Sequence, residues 1–162
     1  MWRSAQKVAA EEARGGAIIE RARQLFIESA ARHGLSIEWD ETSPVELACS
    51  IPEQLGLDWY LWLCVQNYDE LHIQHDLFTF SWFPADEPEK EAEFVNALEG
   101  LISGAFRLKC SYSRRGRRPY SVELEREAGG QWENVYGYGR GLHFGRAARV
   151  EIVRNGHPTI TL

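Results

Sequence analysis

Residues 57–84 read LDWYLWLCVQNYDELHIQHDLFTFSWFP and hold three of the chain's six tryptophans. Aromatic and β-branched residues favour the pleated, half-buried surface of a sheet. Near the end of the stretch, Phe78, Phe80 and Trp82 alternate with Thr79 and Ser81, which predicts a strand with one buried face. We therefore expect this stretch to form the centre of a β-sheet on which the rest of the chain packs.

Strand patterns continue on both sides of this stretch. Alternation of apolar and polar residues predicts a strand at 45–51 and several more after residue 105. Asn155-Gly156 is a strong signal for a tight hairpin near the end of the chain. The later predicted strands, which we expect to form an antiparallel meander, lie at about 106–112, 120–125, 132–138, 150–153 and 159–162.

Two helices are predicted among these strands. One, at 17–33, carries an apolar stripe at helical spacing and is followed by Gly34, a typical C′ glycine. The second is predicted to begin at Asp86 as N-cap, with Glu89 completing a capping box, and to end at Gly104. Runs of strands with segregated helices predict the α+β class, with an antiparallel sheet and two principal helices packed on it.

The length of 162 residues predicts one domain with a short extension. We expect residues 17–162 to form a single α+β domain and residues 1–16 to form an N-terminal helical arm. The arm is rich in Ala and Glu, and Gly15-Gly16 interrupts its helical pattern. Two interpretations follow: a frayed extension of the first helix, or a segment that binds a partner.

Composition narrows the class of protein. No run approaches the roughly 20 apolar residues needed to span a bilayer, and the N-terminus has no apolar core of a secretion signal. The three cysteines are far apart and form no Cys-x-x-Cys pair, which predicts buried, reduced thiols. We therefore expect a soluble cytoplasmic protein without contact to a membrane.

Charge is distributed unevenly along the chain, whose formal net charge is -6. Residues 69–99 hold nine acidic side chains and one Lys. Residues 105–118 hold six basic side chains and no acid, including a predicted hairpin turn with Arg114, Arg115, Arg117 and Arg118. These charges either solvate a helix and a turn, or form an acidic face and a basic contact site for an anion or a partner.

Chemically reactive groups are sparse. His72, His75 and Asp76 are clustered in sequence, but strand alternation places the two imidazoles on opposite faces, so we expect no metal site. The segment from Gly137 to Arg146 is rich in glycine yet fits no phosphate-binding fingerprint. If a pocket exists, we expect it between the aromatic sheet and this segment, with His72, His75, Arg140 and His143 as its polar contacts.

The leading functional hypothesis is an intracellular, non-enzymatic binding protein that acts through protein–protein contacts, with self-association as one form. The alternative is a small-molecule-binding protein or enzyme that uses the pocket just described. Nucleic-acid binding ranks third, because the net charge opposes it and only the arginine turn, with Tyr112 and Tyr120 nearby, favours it. No cofactor is expected under the leading hypothesis.

Overall fold

The computed structural model describes residues 5–140 and 145–162. Within these residues the chain forms two helices and two antiparallel five-stranded sheets, which confirms the α+β class. The helices are α1 (Ala5–Arg32) and α2 (Pro88–Ser103). The first sheet contains β1 (Glu38–Trp39), β2 (Leu47–Ile51), β3 (Leu61–Gln66), β4 (Glu70–His75) and β5 (Phe78–Trp82). The second contains β6 (Phe106–Tyr112), β7 (Ser121–Ala128), β8 (Gln131–Gly139), β9 (Arg149–Arg154) and β10 (His157–Thr161).

The first sheet is a meander in which every strand pairs with its neighbour in sequence. Its helix-facing side carries the alternating apolar residues of β2 to β5, and Phe78, Phe80 and Trp82 are all buried. Trp82 also contacts Phe94 of α2 edge-to-face. The aromatic stretch thus forms the base of the core, as its pattern predicted.

The second sheet has the strand order β10-β9-β6-β7-β8. The predicted single meander is therefore wrong in this half of the chain, because β9 returns to pair with β6 instead of continuing past β8. This arrangement is a Greek key, in which the fourth strand lies beside the first. It completes backbone pairing on both sides of β6, the strand that carries the buried Leu108 and Cys110.

Helix α1 begins at Ala5 and continues without a break through Gly15 and Gly16, whereas the sequence pattern predicted a confident start near residue 17. Gly15 is buried, and a Cβ atom there would lie 3.1 Å from Cδ1 of Tyr68. The absence of a side chain at Gly15 therefore allows the helix to pass close to the β3–β4 turn. Residues 5–16 of the predicted arm are therefore a continuous extension of α1.

Helix α2 begins differently from the prediction. The N-cap residue is Glu87, which makes no side-chain capping hydrogen bond, so the predicted Asp86–Glu89 capping box is wrong. The Asp86 carboxylate instead accepts two hydrogen bonds of 2.6 Å from the Arg14 guanidinium. Bidentate pairing supplies two charge-assisted hydrogen bonds in a matched fork geometry, where a cap would supply one, and it also lowers the pKa of Asp86.

Two further ion pairs join the helices. Arg21 forms a bidentate pair with Glu91, and Arg32 donates to Glu99 at 2.9 Å. Part of the acidic run at 69–99 is thus neutralised by α1 and is not one uninterrupted acidic face. In the described part of the chain, neither helix is long and apolar enough to cross a membrane.

Candidate functional site: a basic end of the second sheet

The topology of the second sheet gathers arginines at one end. Strand pairing brings the end of β6, the start of β7, the end of β8 and the start of β9 side by side, since Ser111 pairs with Ser121, Ser121 with Gly139, and Tyr112 with Arg149. Residues 111–122 and 139–150 contain seven arginines and no Asp or Glu. We call this set the basic end: Arg114, Arg115, Arg117, Arg118, Arg140, Arg146 and Arg149.

Backbone hydrogen bonds anchor the two connections at this end. The Tyr120 amide donates to the Ser111 carbonyl at 2.9 Å, which closes the β6–β7 turn. The Arg140 amide donates to the Tyr120 carbonyl at 2.8 Å, and the Ala148 amide donates to the Tyr112 carbonyl at 2.9 Å. The arginines that flank the turn are thereby held beside it.

Arg149 lies on an aromatic platform. Its Cζ atom is 4.1 Å from the centroid of the Tyr112 ring, and its Nε lies 3.1 Å from Oε1 of Glu151. The Tyr112 ring is 3% exposed, and burial, followed by its hydrogen bond with Glu151, raises the pKa of Tyr112 to about 12. This buried ring fixes one arginine of the basic end in place.

Arg140 has a similar but looser arrangement. Its Nε donates to Oη of Tyr138 at 3.1 Å, and its Cζ lies 5.8 Å from the centroid of the same ring. Because both arginines rest on tyrosines, less side-chain motion is lost when an anion binds them.

Five arginines of the basic end differ from most other described arginines in having no side-chain partner. Elsewhere, Arg14, Arg21 and Arg32 bind carboxylates, and Arg107 binds Glu125 at 2.7 Å. By contrast, within residues 5–140 and 145–162 five exposed arginines of the basic end make no side-chain hydrogen bond, ion pair or ring contact. These five are Arg114, Arg115, Arg117, Arg118 and Arg146. Their donors are therefore free to bind an anion from outside.

An apolar strip borders the basic end on the outer face of the second sheet. Ile160 pairs with Ile152, and the Leu162 amide donates to the Val150 carbonyl at 2.8 Å. Ile160 is 55% exposed and Leu162 is 76% exposed. We call Val150, Ile152, Ile160 and Leu162 the apolar strip. It starts at the same end of the sheet as Arg149, whose side chain lies on the opposite face with Tyr112.

The two histidines predicted for a pocket lie on opposite faces of β4. His72 is on the outer face of the first sheet, and its Nε2 lies 3.2 Å from Oε2 of Glu70. His75 is on the inner face, where its ring contacts Trp59 and Phe78. Burial lowers the pKa of both histidines, so both are kept neutral.

The remaining pocket residues are not joined to these histidines. In the described part of the chain, no hydrogen bond, ion pair or ring contact links His72 or His75 to Arg140. His143 lies outside the described residues, together with 141, 142 and 144. Gly137 and Gly139 belong to strand β8 and not to a loop.

A small cavity does lie between the aromatic sheet and the second sheet. It has a volume of about 110 Å³ and is lined by residues that include Trp82, Ala97 and Tyr136. Small-molecule sites commonly have volumes of about 300–1,000 Å³, so this cavity is below that range. None of His72, His75 or Arg140 lines it.

Cysteine and metal chemistry receive no support from the geometry. Cys49, Cys64 and Cys110 are each 0% exposed and free, and burial raises the pKa of each thiol to about 12. Among residues 5–140 and 145–162, no group of three or more His, Cys, Asp or Glu side chains is arranged to hold a metal ion.

Sequence reasoning identified the four arginines of the turn but not their neighbours. It missed Arg149, and it treated Arg140 and Arg146 as part of a glycine-rich loop. The available signal was the absence of Asp and Glu from both 111–122 and 139–150. The absence of acids from both segments indicates one basic surface only if β9 pairs with β6. That pairing is a long-range contact.

Comparison with protein-family models, with curated protein sequences and with solved structures finds no match to this chain.

Proposed function

We propose that this protein is a non-enzymatic binding protein that acts through protein–protein contact, and that its basic end docks on an acidic surface of the partner. One observation carries the proposal: among the described residues, five exposed arginines at this end of the sheet have no side-chain partner, whereas Arg14, Arg21 and Arg107 bind the chain's own carboxylates.

The chemistry of arginine fits this role. A guanidinium presents a planar fork of donors that matches a carboxylate in a bidentate manner, and arginine is enriched in protein interfaces. The ion pairs of Arg14 with Asp86 and Arg21 with Glu91 are examples of that geometry within this chain. We expect carboxylates of a partner to bind the turn arginines in the same way.

Two features favour a protein partner over nucleic acid. The formal net charge is -6, so the rest of the chain repels a long polyanion that extends beyond the basic end. The apolar strip, on the face of β9 opposite Arg149, adds exposed Ile160 and Leu162 near the same end of the sheet. Protein interfaces combine an apolar centre with a polar rim, and phosphate-binding surfaces do not need the apolar part.

The protonation chemistry of the basic end favours binding over catalysis. Arginine stays protonated at all physiological pH values, and the pKa of Tyr112 is about 12. Neither side chain therefore acts as a general base near neutral pH, since an effective base needs a pKa close to the working pH.

The test is capture of partners from the native extract by three forms of the protein. The first is unchanged, and the second carries R114S, R115S, R117S and R118S. The third is a control that loses the same number of positive charges elsewhere, at Lys7, Arg23, Lys90 and Arg126. We expect a stoichiometric acidic protein to be retained by the first and third forms and lost from the second, and to be released as salt is raised.

Two results would overturn the proposal. One is equal retention of the protein partner by the second form. The other is retention of nucleic acid in place of protein, with salt-sensitive binding that disappears in the second form, because this would assign the basic end to phosphate groups. Circular dichroism of all three forms verifies that the substitutions leave the fold intact.

A further inference from the structure

A second charged surface lies between the first half of α1 and the β3–β4 turn. It is an open groove of about 520 Å³. Its apolar floor includes Ile18 and Ile19, and Tyr68 forms one wall. We call this surface the acidic groove, and it is lined by Glu11, Glu12, Arg14, Gly15, Gly16, Ile18, Ile19, Asn67, Tyr68 and Asp69.

Tyr68 is held in an unusual position. Its φ is 67°, in the left-handed region that bulky side chains rarely adopt, and the preceding Asn67 has φ 56°. Tyr68 is nevertheless 60% exposed. Its contact with Gly15 keeps the ring at the wall of the groove. Two consecutive residues with positive φ are typical of a tight β-hairpin turn, so the β3–β4 turn sets the position of the Tyr68 side chain.

Three carboxylates and one guanidinium line the groove. Glu11, Glu12 and Asp69 line it, and the one arginine among the lining residues, Arg14, is already bound to Asp86 and lies 3.8 Å from Asp69. A cationic side chain with an aliphatic stem therefore fits this surface: the stem packs on Ile18 and Ile19, while the charge meets carboxylates.

We propose that the acidic groove binds the β6–β7 turn of a second copy of this chain. The inference rests on the proposed function, because it names one acidic surface that the basic end recognises. The turn offers four exposed arginines without a partner among the described residues, and the groove offers carboxylates beside an exposed aromatic ring. A guanidinium stacks on the Tyr68 ring as that of Arg149 stacks on Tyr112.

The proposed contact joins two different surfaces, one from each copy. Such a contact produces chains of molecules, or a closed assembly if the geometry lets both copies exchange turns. In either case, one copy needs only its turn and the other only its groove. This property allows each surface to be disabled separately.

The experiment measures the average mass of the full chain by sedimentation across a range of protein concentration and salt. The turn variant carries R114S, R115S, R117S and R118S, and the groove variant carries E11Q, E12Q and Y68S. A control variant carries E87Q and E89Q, two exposed carboxylates outside the groove. We expect the unchanged chain and the control to associate at low salt. We expect the association of each disabled variant to be weaker by a factor of about ten or more.

Mixing the two disabled variants provides the decisive result. Each variant retains the surface that the other lacks, so the mixture is expected to associate more strongly than either variant alone. A mixture that stays monomeric, or a groove variant that associates like the unchanged chain, would overturn the inference. A monomeric unchanged chain that still captures an acidic protein through its arginines would overturn this inference alone. If the turn variant retains that partner, the proposed function fails.

Discussion

The guanidinium of Arg149 lies 4.1 Å from the centroid of the Tyr112 ring, and its Nε is 3.1 Å from a carboxylate oxygen of Glu151. The buried ring and the carboxylate together hold this arginine at the start of β9. Within the part of the chain that the structure describes, the turn arginines have no such contact and are exposed; they are Arg114, Arg115, Arg117 and Arg118. The basic end therefore combines one fixed cation with several adaptable ones.

Asn155 is predicted to be important for stability. It is 7% exposed, and its Nδ2 donates to the carbonyls of Gly56 at 2.8 Å and Ile102 at 2.5 Å, while its Oδ1 accepts from the Asp58 amide at 2.8 Å. Replacement by Ala leaves these buried groups unsatisfied, so N155A is expected to lower the free energy of unfolding by about 2–3 kcal/mol. Urea denaturation measures this, and T159A on exposed β10 should stay within about 0.5 kcal/mol of the unchanged chain.

Two helical glycines are predicted to respond to alanine in opposite directions. A Cβ atom at Gly100 would lie 2.4 Å from the ring of buried Phe106, so G100A should lower the free energy of unfolding by about 1–3 kcal/mol. Apart from its chain neighbours and the backbone of α1 itself, no atom of the described residues lies within 4 Å of a Cβ atom at Gly16. G16A should therefore raise stability by about 0.5–1 kcal/mol through helix propensity alone. Thermal denaturation of both variants measures these changes. A G100A variant as stable as the unchanged chain would contradict the prediction.

Stability is predicted to decrease as the solution becomes acidic. Burial lowers the pKa of His72 and His75 below 6.5, and although Glu70 and Asp76 oppose the shift, burial dominates. The unfolded chain then binds more protons than the folded chain once the pH falls below about 6.5, so the free energy of unfolding declines there. In the H72Q and H75Q double variant, the free energy of unfolding should depend less on pH. T159A, at an exposed site without a titratable group, should leave the dependence of stability on pH unchanged.

The three thiols are predicted to be unreactive in the folded protein. Each is fully buried with a pKa of about 12, so little thiolate exists at neutral pH and reagents lack access. Alkylation of Cys49, Cys64 and Cys110 should therefore be slow without denaturant and fast in its presence. Mass spectrometry measures the labelled fraction, and rapid labelling of any one of them under native conditions would contradict the burial described here.

The sequence was sufficient to predict the fold class because the signals are local. Alternation in β5 and the apolar stripe of α2 arise from the periods of a strand and a helix, and Gly104 ends α2 with φ 70° as expected of a C-terminal glycine. Gly129 and Gly130 likewise form the turn before β8 at positive φ. Each of these features depends on residues close together in the chain.

What could not be predicted depends on distant contacts. Whether Asp86 caps α2 or binds Arg14 is decided by a helix 72 positions earlier in the chain. The cost of Gly15 in a helix is offset by the space that it leaves for Tyr68. The full basic end required the β6–β9 pairing, which no local pattern indicates.

The most direct measurement of the central claim is arginine-specific labelling with phenylglyoxal, on the free protein and on the complex with its captured partner, read by mass spectrometry. If the basic end is the contact surface, Arg114, Arg115, Arg117 and Arg118 are labelled in the free chain and protected in the complex, while exposed Arg126 is labelled in both. Equal labelling of the four turn arginines in the free and bound protein would contradict the claim that the basic end is the contact surface.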